Sequence, residues 1–113
     1  AYLLKPIDRK TEIYQEYCRL VLSHYQEWHH VNQYAQAMRL TLPHLCSTIK
    51  QLGNRTAGDI IIEALLNDAK SQLKITNLAI KEIAYDLGFE NVAFFNRFFK
   101  SHVGVTPKMY RNG

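Results

Sequence analysis

Apolar residues recur at three- and four-residue spacings along the chain, and no stretch alternates apolar with polar residues as a half-buried strand would. Ile13, Tyr17, Leu20, Val21 and Trp28 predict a first helix over residues 11–26. A short helix over 31–37 follows, with Val31, Tyr34 and Met38 inward. Thr41 has the side chain of an N-cap and opens a third helix over 42–52, where Pro43 is tolerated because it falls in the first turn. The segment TAGD, Thr56 to Asp59, resembles a capping box and starts a long fourth helix over 57–74. Its Ile62, Leu65, Leu66, Ala69 and Leu73 are expected to form one buried stripe. Two more helices are predicted over 80–87 and 91–102, and Thr106-Pro107 places proline at the first position of a short last one. The fold class is all-α, with about seven helices.

The chain also repeats itself. Val31, Tyr34, Ala35, Met38 and Leu40 match Ile80, Ile83, Ala84, Leu87 and Phe89 at an offset of 49. After one inserted residue, Leu45, Ile49, Lys50, Asn54 and Thr56 match Phe95, Phe99, Lys100, Gly104 and Thr106 at an offset of 50. Each copy reads as a short helix, a tight turn and a second helix. Ala35 and Ala84 sit where crossing helices touch and only a small side chain fits. Gly88 occupies a turn where positive φ is cheap, and Asn54 and Gly104 suit a left-handed helix stop. This is a helix-turn-helix unit present twice.

Two of the helices carry the candidate chemistry. At 100° per residue, the sixth groups Phe95, Phe98, Phe99 and His102 on one face, flanked by Phe94, and Ala93, Asn96, Arg97 and Lys100 on the opposite face. The third buries Leu45, Ile49 and Leu52 and exposes Pro43, Cys46, Ser47 and Lys50 in the same way. Asn96 can pair with adenine, Arg97 with guanine or phosphate, and Lys50 and Lys100 with phosphate. An ordinary solvated helix face explains either helix alone; two equivalent faces in a repeated unit favour recognition of a polyanion.

Charge placement sharpens this picture. The 113 residues hold 14 Lys and Arg against 10 Asp and Glu, a formal charge of +4 that is only mildly basic. Residues 28–58 contain no acidic residue but include Arg39, Lys50 and Arg55, and residues 91–113 contain none but include Arg97, Lys100, Lys108 and Arg111. Half of the cations therefore lie in acid-free sequence, whereas ordinary solvated surface mixes its signs.

The segment IKEIAYDLGFENVAFFNRFFKSHVGVTPKMYR is close, over its full length, to the signature of the AraC/XylS family of bacterial transcription regulators, and VNQYAQAMRLTLPHLCSTIKQLGNRTAGDII resembles a looser copy of its first half. The resemblance covers roughly residues 12–111. It implies two helix-turn-helix subdomains joined by a long central linker helix, with the third and sixth helices entering successive major grooves of double-stranded DNA. A fourth helix of about 17 residues spans about 25 Å at 1.5 Å per residue. With its flanking turns, this is compatible with grooves about 34 Å apart. Carried over by position, the readers would be Pro43, Cys46, Ser47 and Lys50, with His44 beside them, and Val92, Ala93, Asn96, Arg97 and Lys100, with Asn91 beside them. The chain departs from the pattern at Ser47, where the family often has arginine, at Arg39 and Asn54, where it often has glycine, and at Ala64, where it often has arginine. Ala79 replaces the usual Ser or Thr N-cap of the fifth helix, a loss of about 1 kcal/mol. The second unit is expected to contribute most of the affinity.

On this division residues 1–10 are a linker from a preceding domain, 11–56 the first subdomain, 57–74 the linker helix and 75–113 the second subdomain; an initiator methionine removed in processing would leave the same Ala1. The resemblance also implies an activator, RNA polymerase as a further partner, and dimerisation through an N-terminal domain. A helical module that contacts the transcription machinery rather than DNA is the alternative from another class, and a stand-alone regulator without a sensor domain is a variant of the first. Cys18 and Cys46 match no zinc or CxxC spacing, so a reduced, cytoplasmic compartment is expected. No apolar run reaches the roughly 20 residues of a membrane span. His29 and His30 are read as a polar turn, Cys46 as a small tolerated residue, and Glu82, Asp86 and Glu90 as surface charges. No enzyme, metal or cofactor is expected.

Overall fold

A computed structural model describes residues 8–113, which form seven α-helices. They are α1 (Arg9–His24), α2 (Val31–Ala37), α3 (Leu42–Gly53), α4 (Ala57–Ile75), α5 (Ile80–Asp86), α6 (Val92–Val103) and α7 (Pro107–Asn112). The expected linker over 1–10 lies mostly outside the described residues. Its last three residues do not form a linker: Asp8 is the N-cap of α1, accepting a hydrogen bond from the Thr11 amide at 2.8 Å, and Arg9 and Lys10 open the helix. The first helix therefore runs two residues earlier at both ends than its periodicity predicts.

Side-chain caps set the other starts. Thr41 accepts from the His44 amide, Asn91 from the Phe94 amide and Thr106 from the Met109 amide. Thr56 and Asp59 close the reciprocal box, each side chain accepting from the other's amide. Ala79 gives α5 no side-chain cap, as expected.

Helix α4 is shared. Its first half packs with α1 and α3, and its second half with α5 and α7. The buried residues Ala57, Ile61, Leu65, Ala69 and Leu73 recur every fourth position. Four-residue steps advance 400° each, so this line winds about 160° around the helix from end to end. The single stripe predicted for α4 is therefore corrected: Ile60 and Ile61 are buried, while Ile62 and Leu66 are only half-buried.

Each unit has its own aromatic cluster. In the first, Tyr17 meets Tyr34 edge-on at 5.4 Å and Trp28 meets Tyr34 at 5.2 Å. In the second, Phe95 contacts Phe89 and Phe99, and Phe99 contacts Tyr110. The first unit's phenols also donate hydrogen bonds, two of them long-range, Tyr17 to the Ala57 carbonyl at 2.6 Å and Tyr25 to Asp68 at 2.6 Å, and one local, Tyr34 to the Trp28 carbonyl at 2.8 Å. Ala35 and Ala84 are fully buried at equivalent helix crossings.

The repeat extends to backbone conformation. Arg39 and Gly88, 49 apart, both have positive φ (57° and 85°), as do Asn54 and Gly104 (53° and 96°). The two glycines are not equivalent. A Cβ on Gly104 would meet nothing within 4 Å, whereas one on Gly88 would lie 2.0 Å from the backbone oxygen of Gln26.

Gly104→Asn is accordingly expected to change unfolding free energy by less than about 1 kcal/mol. Gly88→Asn should cost about 3 kcal/mol or more, because the opposing atom is backbone and cannot rotate away. Denaturant unfolding of the two variants checks this, and equal losses would mean that Gly88 is kept for φ alone. A second expectation concerns alkaline pH. Burial pushes Tyr25 and Tyr34 up to about 12, helped at Tyr25 by the Asp68 carboxylate, and burial raises Tyr17 further. Unfolded phenols ionise near pH 10, so above that the unfolded chain binds fewer protons than the folded one and stability falls. The contribution is whole below about pH 10 and lost between about 10 and 12. Thermal unfolding across that range should show the fall, and Tyr25→Phe should shrink it.

Candidate nucleic-acid interface

The two candidate reading helices are built alike. Each has 12 residues, a side-chain N-cap and a left-handed stop whose amide donates to the carbonyl of an equivalent lysine, Asn54 to Lys50 and Gly104 to Lys100. Inward anchors hold them: Leu45, Thr48 and Ile49 in α3, Phe95 and Phe99 in α6. Gly53 lets α3 seat against the Tyr14 ring, which a Cβ there would approach to 2.7 Å.

Two members of the predicted inward faces point elsewhere. Leu52 is 45% exposed and His102 is exposed, although on a helical wheel Leu52 lies between its anchors and His102 within about 20° of Phe95. They occupy equivalent positions in the last turn, beyond the elements the helices pack on. The wheel gives angle, not distance along the axis.

The outward faces carry the expected residues. Pro43, His44, Ser47 and Lys50 are exposed on α3 and Cys46 is half-buried. On α6, Ala93, Arg97 and Lys100 are exposed, while Val92 and Asn96 are half-buried. Asn91 is exposed, and its Oδ1 is occupied by the cap, leaving its amide nitrogen to donate. Phe94, equivalent to His44, is 45% exposed, and the Arg97 guanidinium lies 4.9 Å over its ring. That stacking limits the freedom of Arg97 and adds an apolar edge to the face. Sequence reasoning placed Phe94 only at the flank of the core.

The acid-free stretches prove less free than their composition implies. Arg55 forms an ion pair with Glu63 of α4. Arg111 donates from Nε to the Leu73 carbonyl at 3.0 Å and from Nη2 to the Thr76 carbonyl at 3.4 Å, satisfying the C-terminal end of α4. Among the described residues, Arg39, Lys50, Arg97, Lys100 and Lys108 make no ion pair. Glu82 and Glu90 are exposed, and Asp86 accepts a hydrogen bond from Gln72.

A model of a helix-turn-helix domain matches residues 34–113, which includes both reading helices. The chain belongs to the AraC/XylS family. It is 28% identical over 89 residues to an uncharacterized HTH-type transcriptional regulator, YdiP, of Escherichia coli K12, covering 79% of this chain and 29% of that protein. Among solved structures, the C-terminal domain of AraT, a response regulator from Geobacillus stearothermophilus, superposes with a TM-score of 0.84 at 23% identity, over 93% of this chain and 88% of that one. The DNA-binding domain of AdpA, a global transcriptional factor, in complex with a target DNA gives 0.76 at 19% identity, over 94% and 92%. The chain thus has the fold of AraC-type DNA-binding domains and spans under a third of its regulator relative YdiP.

Within this AraC/XylS domain the cations divide into two kinds with separable readouts. Arg111→Met should lower stability by about 1.5–3 kcal/mol, since it removes charged hydrogen bonds to two carbonyls. It should leave the salt slope of DNA binding unchanged. Lys100→Met should do the reverse, reducing that slope by about one with little change in melting temperature. Unfolding curves and salt titrations on the same samples check both, and a changed slope for Arg111→Met would mean that it reaches phosphate.

Proposed function

We propose that this domain binds double-stranded DNA sequence-specifically, with α3 and α6 in successive major grooves on one side of the duplex, as the DNA-binding part of a bacterial transcription regulator. The observation that carries the reading is the duplication: two capped, equally long helices turn equivalent polar faces outward, each ending in an exposed lysine and neither interrupted by an acidic residue. Pro43, His44, Cys46, Ser47 and Lys50 form the first reading face, and Asn91, Val92, Ala93, Asn96, Arg97 and Lys100 the second. Asn96 and Arg97 read base edges, while Lys50 and Lys100 hold phosphates. The first face offers a serine where the second offers a stacked arginine, so α6 supplies the larger share of specificity. RNA polymerase as a further partner, an activating role, dimerisation through an N-terminal domain and a cytoplasmic setting complete the proposal.

Arg97→Ala is expected to weaken a selected specific site more than random duplex. Equal losses on both would show that Arg97 touches backbone alone. If about six phosphates are neutralised, log K should fall against log salt with a slope near −5. Selection of bound duplexes from a random pool supplies the site; a motif with two elements about 10–10.5 bp apart supports docking of both units. A single element would confine reading to one unit, and no enrichment would favour a module that contacts protein.

A further inference from the structure

Outside the reading faces, one cluster joins the two helix-turn-helix units without passing along α4. It is built from the loop between α1 and α2 on one side and the turn between α5 and α6 on the other. His29 Nε2 lies 2.7 Å from the Leu87 carbonyl. A carbonyl only accepts, so Nε2 carries the hydrogen. The same imidazole meets Phe89 at 5.0 Å in a tilted contact, and Phe89 in turn contacts Phe95 and Phe98 of the second unit's aromatic cluster. Beside it, Gly88 approaches the Gln26 backbone so closely that no side chain fits between them. A polar relay runs parallel to this contact: Tyr25 and Gln26 donate to Asp68 of α4, and Gln72 donates both to Asp68 and to Asp86 of α5.

This arrangement is more than a second core. The two units already share α4, and the core that runs through both already buries Tyr34 and Phe95 completely. Helix α4 already holds the second unit through its packing with α5 and α7 and through Arg111, while the segment between Ile75 and Ile80 leads into an α5 without a side-chain cap. The contact at His29 adds a second tie that does not run through α4, joining the α5–α6 turn directly to the loop between α1 and α2.

We infer that His29, seated on Leu87 and Phe89, is a positioning residue that fixes the angle between the two reading helices and thereby sets the spacing of DNA half-sites the domain accepts. The inference rests on the two-groove reading above. Each added base pair moves a half-site by about 3.4 Å and turns it by about 35°. A locked pair of readers cannot follow that rotation; a hinged pair can. The second unit's contribution is an effective-concentration effect, which is largest when the tether holds it where its half-site lies.

The test uses the two elements found by selection, rebuilt with spacings of one and two base pairs either side of the preferred one. The wild-type domain should lose about tenfold in affinity for the first added or removed base pair. His29→Leu keeps bulk but has no donor: its optimum should weaken and its loss per base pair shrink to about threefold or less. His29→Gln keeps a donor and should restore the sharp profile. Affinity for each element tested in isolation should be equal in all three, which a variant that merely unfolds one unit could not achieve for both. A His29→Leu profile as sharp as wild type would overturn the inference and leave the two-groove reading standing. A wild-type domain indifferent to spacing would overturn that reading and the inference with it.

Discussion

One helix serves two cores, and the rest of the architecture follows from that constraint. Helix α4 presents Ala57, Ile60 and Ile61 to the first unit and Ala69 and Leu73 to the second, with Leu65 between them. A straight apolar stripe would face one side only, whereas the buried positions of α4 wind around it as it packs with elements of both units. A four-residue spacing solves the problem: it drifts about 40° per step and carries the buried line from one unit to the other. The ends of α4 are secured accordingly. Thr56 and Asp59 close its first turn, the Tyr17 hydroxyl takes the Ala57 carbonyl, and Arg111 from the last helix takes the carbonyls of Leu73 and Thr76. Both units thus contribute a side chain to the helix they share.

The aromatic residues explain why so small a chain can leave two faces unpacked. Rings at 5–6 Å hold each unit from inside, so the exposed sides of α3 and α6 are not needed for stability. The cations are sorted by the same logic. Arg55 pairs with a carboxylate at the surface and Arg111 bonds helix-end carbonyls, while the cations of the two reading faces stay unpaired among the described residues. A net charge of +4 understates what the reading side presents, since the acids sit on other elements or pair locally, as Glu16 does with Arg19.

Much of this was legible in the sequence, and most of the exceptions share a cause. Caps and left-handed stops depend on one residue and its near neighbours, so Thr41, the Thr56–Asp59 box, Asn54 and Gly88 could be read directly, and the Asp8 cap of α1 is a local signal that was passed over. The twist of α4, the exposure of Leu52 and His102, and the partners of Arg55 and Arg111 depend on where other elements lie. A wheel carries no such information. His29 is the clearest case: read alone it is a polar turn residue, and only the fold brings Leu87 and Phe89, some 60 positions away, against it. Arg39 shows that a usable signal was present, because the repeat sets it opposite Gly88 and so implies its positive φ. The candidate readers fall where the repeat puts them, although Asn96 and Cys46 are half-buried and Phe94 is more exposed than its place in an aromatic run implies.

The inequality between the two faces gives the geometry its point. On the proposed reading, a first unit that offers serine, cysteine and one lysine contributes little affinity of its own, and the second, which offers Asn96 and an Arg97 stacked on Phe94, contributes more. Joined by a slack tether, the weaker unit would add little, because its local concentration would be spread over many orientations. Held at a fixed angle, the same few contacts are made at almost no further entropic cost once the stronger unit has bound. The shared helix sets the distance and the contact at His29 and Gly88 sets the angle. Weak individual readers and a stiff frame are therefore complementary features: the first keep binding to partial sites low, and the second lets their energies combine on a complete one.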